Sequence, residues 1–216
     1  MSSRENILGR IRTETSTMAE VERPPVPEVW PRTNPSTDEM IERFISEIEA
    51  VQGEVIRCTS FEDAREKLAT LLDENDWNTI GAVERPICRE LLSGLPEERV
   101  AWERENPDPK QMAQLPVGLV TAGKLLADTG SCLVSCDTPE QRLMCYLPSN
   151  CIVAAWVEQL VEHLPAAWDE VRASAAEPGR RGEFVIITGP SRTADIEKIL
   201  ILGVHGPKRL IVLLID

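Results

Sequence analysis

Ligand chemistry in this chain concentrates in two glycine-bearing stretches near its C-terminal half. Thr188-Gly189-Pro190-Ser191-Arg192 follows the apolar run Phe184-Val185-Ile186-Ile187 and offers hydroxyls and a guanidinium. Those groups suit a carboxylate or a phosphate, the guanidinium as a bidentate partner. The spacing of Ile196, Ile199 and Leu200 predicts a helix over Thr193 to Leu200, whose first N–H groups would face the same anion. An ordinary helix cap explains the residues as well, because Asp195 and Glu197 suit the dipole of a helix start and would repel an anion. The second stretch, Asp128-Thr129-Gly130-Ser131, presents a carboxylate and two hydroxyls, or simply forms an Asx-type turn. His205 lies between Gly203 and Gly206 and offers a titratable imidazole on a loop, or a donor to loop carbonyls. Asp128 and His205 are thus the candidate acid–base residues. Thr129, Gly130, Ser131, Thr188, Gly189, Ser191 and Arg192 are the candidate ligand-binding residues, with Ser191, Arg192, Thr129 and Gly189 expected around one anion.

Other chemistries find little footing. The six cysteines, Cys58, Cys88, Cys132, Cys136, Cys145 and Cys151, include no Cys-x-x-Cys and no zinc-finger or ferredoxin spacing. They read as small core hydrophobes, and no metal site or cofactor is assigned to the chain. Gly189-Pro190-Ser191 lacks the second glycine of a hydrolase nucleophile elbow. The net charge of −13 and scattered Lys and Arg argue against nucleic-acid binding. The five tryptophans are dispersed and suit packing better than base stacking. His163, ahead of Pro165, reads as structural or exposed.

The elements that must position these groups alternate. Helices are expected at Thr37 to Val51, from Ser60 to about Glu74, at Pro86 to Leu92 and from Asp108. Strands are expected at Glu54–Cys58, Thr79–Val83, Val100–Trp102, Val117–Thr121, Ser131–Ser135 and Cys151–Ala155. Ala122 to Ala127 reads as a brief helix, Gln141 to Tyr146 as a helical turn, and Val157 to Ala175 as a helix interrupted at Pro165. Leu210 to Ile215 contains no polar residue, so that strand must be covered on both faces, as in a parallel sheet between layers. With Phe184–Ile187 and the helix between, it predicts a terminal βαβ unit. In such a sheet, ligand loops gather at the strand C-termini, and His205, which precedes its strand, is expected at the opposite edge unless the Gly203–Pro207 loop folds back. The fold class is therefore α/β, with a mainly parallel central sheet flanked by helices. Residues 1 to 36 form an appendage, a thinly apolar helix followed by a proline-rich tether, and residues 37 to 216 a single domain. The apolar runs are far short of a membrane span and no signal peptide opens the chain, so a cytoplasmic location is expected.

Three blocks resemble the LUD-domain family. Ile187-Thr188-Gly189-Pro190-Ser191-Arg192-Thr193-Ala194-Asp195-Ile196-Glu197, followed by Gly203-Val204-His205-Gly206-Pro207, is very similar to its C-terminal signature. Ala127-Asp128-Thr129-Gly130-Ser131 resembles its Ala-Glu-Thr-Gly-Thr turn, and Arg142 through Leu147-Pro148 to the strand at Ile152 its next block. The resemblance spans roughly residues 38 to 216. It implies a fold like that of ribose-5-phosphate isomerase, glucosamine-phosphate deaminase and the CoA transferases. It also implies a role as an accessory or substrate-handling subunit beside two iron–sulfur protein subunits that oxidise L-lactate to pyruvate. The clusters would then sit in the partner subunits, and this chain would meet a small carboxylate or phosphate. Departures fall at Asp128, where the family usually has Glu, at Gly123 and Lys124, where an acidic and then a small residue are expected, and at Cys151, where a His is usual. Two alternatives remain: a self-sufficient isomerase or CoA transferase, although no nucleophilic Glu in a glycine context is found, and a binding or regulatory protein that kept the fold.

Overall fold

A computed structural model describes residues 2–16, 30–104, 108–177, 183–194, 200–203 and 205–216. The chain divides into two units, Met1–Pro31 and Arg32–Asp216. The first contains helix α1 (Ser3–Ser16), which buries no residue and leaves Ile7 and Ile11 exposed.

The second unit runs α2 (Thr37–Ala50), β1 (Glu54–Cys58), α3 (Phe61–Glu74), β2 (Ile80–Ala82), α4 (Pro86–Leu91) and β3 (Val100–Trp102). It continues through α5 (Pro109–Met112), β4 (Val117–Thr121), β5 (Lys124–Leu126), β6 (Ser131–Cys136) and α6 (Pro139–Met144). The remainder is β7 (Asn150–Trp156), β8 (Leu160–Val161), α7 (Leu164–Ala175), β9 (Glu183–Ile187), β10 (Arg192–Ala194), β11 (Leu200–Leu202) and β12 (Arg209–Ile215).

Local chemistry sets several helix starts. Ser36 and Glu39 form a reciprocal capping box at α2, and Ser60 accepts the Asp63 N–H at α3. A cap of this kind contributes about 1 kcal/mol. Pro86, Pro109, Pro139 and Pro165 each fall in the first turn of a helix, where a missing N–H costs nothing.

Among the described residues, six strands form an all-parallel sheet in the order β1-β12-β7-β4-β2-β3. Leu210 to Ile215 is buried at every residue and paired on both sides, as its unbroken apolar sequence requires. A second, four-stranded sheet has the order β8-β5-β6-β9. Its two faces are read by period-two alternation. Leu125, Cys132, Val134 and Cys136 join the core of the main sheet, whereas Leu126 and Leu133 pack against Ala167, Leu164 and Val171 of α7. The small sheet is therefore a middle layer between the main core and α7.

This layer corrects three expectations. Phe184–Ile187 lies in β9 and pairs antiparallel with β6, not parallel in the main sheet, so no terminal βαβ unit forms. An apolar run identifies a strand but does not say which sheet receives it, and β9 is only partly buried, with Ile186 exposed. Ala122 to Ala127 is not helical, because Lys124–Leu126 is drawn into β5 by pairing with β6 and β8. After a 3-10 turn at Val157–Gln159 and strand β8, α7 begins only at Leu164. His163 is buried and caps that helix, its Nδ1 accepting the Ala166 N–H at 3.2 Å.

A fourth correction touches the site. The helix expected over Thr193–Leu200 is absent at both described ends, where Arg192–Ala194 pairs antiparallel with Leu200–Leu202. β-Branched Thr193 and the run Leu200-Ile201-Leu202 suit a ladder, and pairing overrode a weak helical spacing. Residues 195–199, including Ile196 and Ile199, lie outside the described residues.

Candidate functional site

The two glycine stretches meet through a line of hydroxyls. Ser131 Oγ donates to Thr129 Oγ1 at 2.8 Å, and Thr129 Oγ1 donates to Asp128 Oδ1 at 3.3 Å. Ser131 Oγ is also 2.7 Å from Thr188 Oγ1. A hydroxyl has one proton, and that of Ser131 is committed to Thr129, so Thr188 donates to Ser131. The line thus runs from Thr188 through Ser131 and Thr129 to the Asp128 carboxylate, with every proton pointing towards the acceptor-only end. Thr188 is left with lone pairs for a ligand and no proton.

Thr188 opens onto a pocket of ≈180 Å³ whose lining includes Gly189, Ser191, His205, Tyr146 and Cys151. His205 precedes β12 and lines this pocket, and Gly203 and Pro207 are both bonded to Ser191. The Ser191 N–H donates to the Pro207 carbonyl at 2.8 Å, and the Gly203 N–H to the Ser191 carbonyl at 2.9 Å. His205 is therefore beside Ser191: it keeps the edge expected of a loop before β12, and it is the loop after β9, carried by the second sheet, that does not lie at the carboxyl edge of the main sheet. Cys151 and Leu210, near the starts of β7 and β12, also line the pocket, so it lies at the amino-terminal edge of the main sheet.

Arg192 and the glycines are used differently. The Arg192 guanidinium donates through Nη2 to the Val51 carbonyl at the end of α2. Arg192 does not line the pocket. Gly130 has φ +60°, and a Cβ there would sit 2.7 Å from Ile48 Cα. Gly189 has φ +101°, and its Cβ would sit 3.1 Å from the Val51 carbonyl. Both positions need glycine for backbone sign and for close approach to the last turn of α2. Thr193 lies in β10, so among the described residues no helix begins on this loop.

The carboxyl edge of the main sheet holds a second cleft, of ≈330 Å³, which sequence reasoning missed. Thr121 from β4, Ala154 and Trp156 from β7 and Ser135 from β6 line it, with Arg85 and Ile87 after β2. Arg85 Nη2 donates to Asp137 at 2.7 Å and to Gln141 Oε1 at 3.2 Å. The Gln141 amide in turn donates to Glu103 Oε1 at 3.2 Å, and the Glu84 N–H donates to Glu103 Oε2 at 2.6 Å. Glu103 is fully buried. A buried carboxylate is costly unless its oxygens are bonded, and both are. The legible signal was an ionisable residue directly after an apolar strand, at the edge where α/β sheets bind ligands. Gly123 lines this cleft, and Lys124 pairs with Glu170 at 2.9 Å.

All six cysteines are reduced and buried. Burial pushes the Cys58 thiol up to about 11 and those of Cys88 and Cys151 up to about 12. The hydrogen bond between Cys136 and Cys145 lowers Cys136 and raises Cys145. Among the described residues, no three His, Cys, Asp or Glu are grouped as metal ligands, and no helix is long and apolar enough to cross a membrane.

A parallel sheet backed by a small mixed sheet, with a pocket on the connecting loops, defines an α/β domain. The LUD domain model matches residues 41–215, and the chain belongs to the LUD-domain family. It is 27% identical to lactate utilization protein C of Bacillus pumilus, over all of this chain and 98% of that protein. It is 26% identical to lactate utilization protein C of a Geobacillus strain, over 81% of this chain and 77% of that protein. Among solved structures, a DUF162 family protein from Deinococcus radiodurans shares the fold. The TM-score is 0.61 at 17% identity, covering 84% of this chain and 99% of that one.

Proposed function

We propose that this chain serves lactate utilization as a substrate-handling subunit, holding a small 2-hydroxy acid in the loop pocket while redox chemistry takes place on iron–sulfur partner subunits. The observation that carries this reading is the end-to-end similarity to lactate utilization protein C. The hydroxyl line supports it and adds a preference. Thr188, facing the pocket with lone pairs alone, accepts a hydrogen bond from the hydroxyl of lactate but gains none from the keto oxygen of pyruvate. Ser191 and His205 face the same pocket as partners for the carboxylate.

The isolated chain is expected to bind L-lactate more tightly than pyruvate by calorimetry. Thr188→Val, which removes the acceptor, and Asp128→Ala, which removes the end of the line, should each erase most of that preference, about tenfold for one good bond. With a dye acceptor, lactate oxidation should require the two iron–sulfur subunits. Robust turnover by the chain alone would move the reading to a self-sufficient enzyme.

A further inference from the structure

Charge at the carboxyl edge is balanced but unevenly presented. Arg85, Arg89 and Arg104 meet Glu84, Glu103 and Asp137 there. Arg89 is bonded to Glu84 and lies 4.7 Å from the Trp102 ring centroid, and Arg104 approaches Glu84 at 3.6 Å. Among these six groups, Arg85 alone lines the ≈330 Å³ cleft. Asp137 and Gln141 both bind its Nη2, and Gln141 is itself held by the buried Glu103. This fixes the guanidinium in place and leaves the rest of its donor fork for a ligand. An incoming acid thus meets a held cation, while the balancing carboxylates are not part of the lining.

The rest of the lining sets the size and shape of that acid. Thr121 and Ser135 contribute hydroxyls, and Ile87 and Trp156 contribute apolar surface. Trp156 is supported by Phe61, ring centroids 5.7 Å apart and stacked at 28°. The cleft is nearly twice the volume of the loop pocket, roomy for a three-carbon acid. Its place beyond β2, β4 and β7 is where parallel α/β sheets receive ligands.

We infer that this cleft is a second ligand site, distinct from the loop pocket, which takes an organic acid with a planar ring: the acid group on Arg85, the ring along Ile87 and Trp156. Benzoate and phenyl phosphate are the probes, and they separate a carboxylate from a phosphate preference. Calorimetry on the full chain should show saturable binding of at least one, with quenching of tryptophan fluorescence that Trp156→Phe removes. Arg85→Gln should weaken binding about tenfold or more, as expected for loss of a charge-assisted bond. Ser135→Ala should weaken it less, and Thr188→Val, in the other pocket, should leave it unchanged. Lactate should not compete. Thermal melts accompany each variant. Should Arg85→Gln melt early, Arg85→Lys keeps a charge for Asp137 but loses the fork, and decides the matter by the same loss of affinity. Absence of saturable binding to the folded wild type, or equal affinity in a folded Arg85 variant, overturns the site.

Discussion

A single proton per hydroxyl orders the loop pocket, and a single fully buried carboxylate orders the cleft. Glu103 is satisfied by one backbone N–H and one side-chain amide. Its truncation would leave both donors unpaired, at about 1–3 kcal/mol each, and would release Gln141 from its place under Arg85. Glu103→Ala is therefore expected to lower the melting temperature and to weaken anion binding in the cleft together. The cysteines follow the opposite logic. Desolvation holds Cys58, Cys88, Cys132 and Cys151 protonated near neutral pH, and all six are shielded. A thiol reagent at neutral pH should label native protein slowly, with Cys136 first because the Cys145 hydrogen bond favours its thiolate, and should label six thiols in denaturant. Rapid labelling of several native thiols would contradict this core.

Among the elements, α2 carries more of the site than its sequence suggests. Its last turn receives Gly130, Gly189 and the Arg192 guanidinium, so the loops that form the pocket are seated on one helix end. The other end of α2 is held by the Ser36–Glu39 box, whose hydrogen bonds from Ser36 depress the Glu39 carboxyl below its ordinary 4.5. A depressed carboxyl stabilises the fold above its unfolded value and loses that contribution as pH falls through its folded value. Gln at this position keeps the box without a titrating group. The melting temperatures of wild type and Glu39→Gln should thus converge as pH drops below 4.5, with wild type the steeper curve. Parallel curves would show that the box contributes nothing to acid sensitivity.

For the whole molecule, the boundary between units is testable by truncation. Thr33 belongs to the second unit and is bonded to Glu162 through its N–H at 2.9 and 3.1 Å and through its hydroxyl. Ser36 caps α2. Removal of residues 1–31 should leave the thermal melt of the remaining domain nearly unchanged, since α1 buries nothing. Removal of residues 1–36 deletes both the Thr33 bonds and the cap, and should destabilise by about 1 kcal/mol or more. A large loss already in the shorter truncation would show that α1 belongs to the folded core.

Sequence alone determined the parts governed by local chemistry and by burial. Ser60 marked a helix start, and the unbroken apolar run of β12 required a strand covered on both faces. The glycine stretches at Gly130 and Gly189 were recognisable, because positive φ and close approach exclude other residues. Tertiary structure decided whatever depended on the partner of a strand. Phe184–Ile187 reads the same in either sheet, Lys124–Leu126 is too short for any period to show, and the described ends of the helix expected over Thr193–Leu200 pair as strands instead. It also assembled Arg85, Glu103, Asp137 and Gln141, which come from three separate segments and share no motif. The parallel pairing of β2 with β3 sets Arg85 and Glu103 side by side, and the second sheet brings Asp137 and Gln141 to them from the end of β6. A linear sequence records such an edge only as scattered residues after apolar runs, because the distances that make it a site are fixed by the sheet.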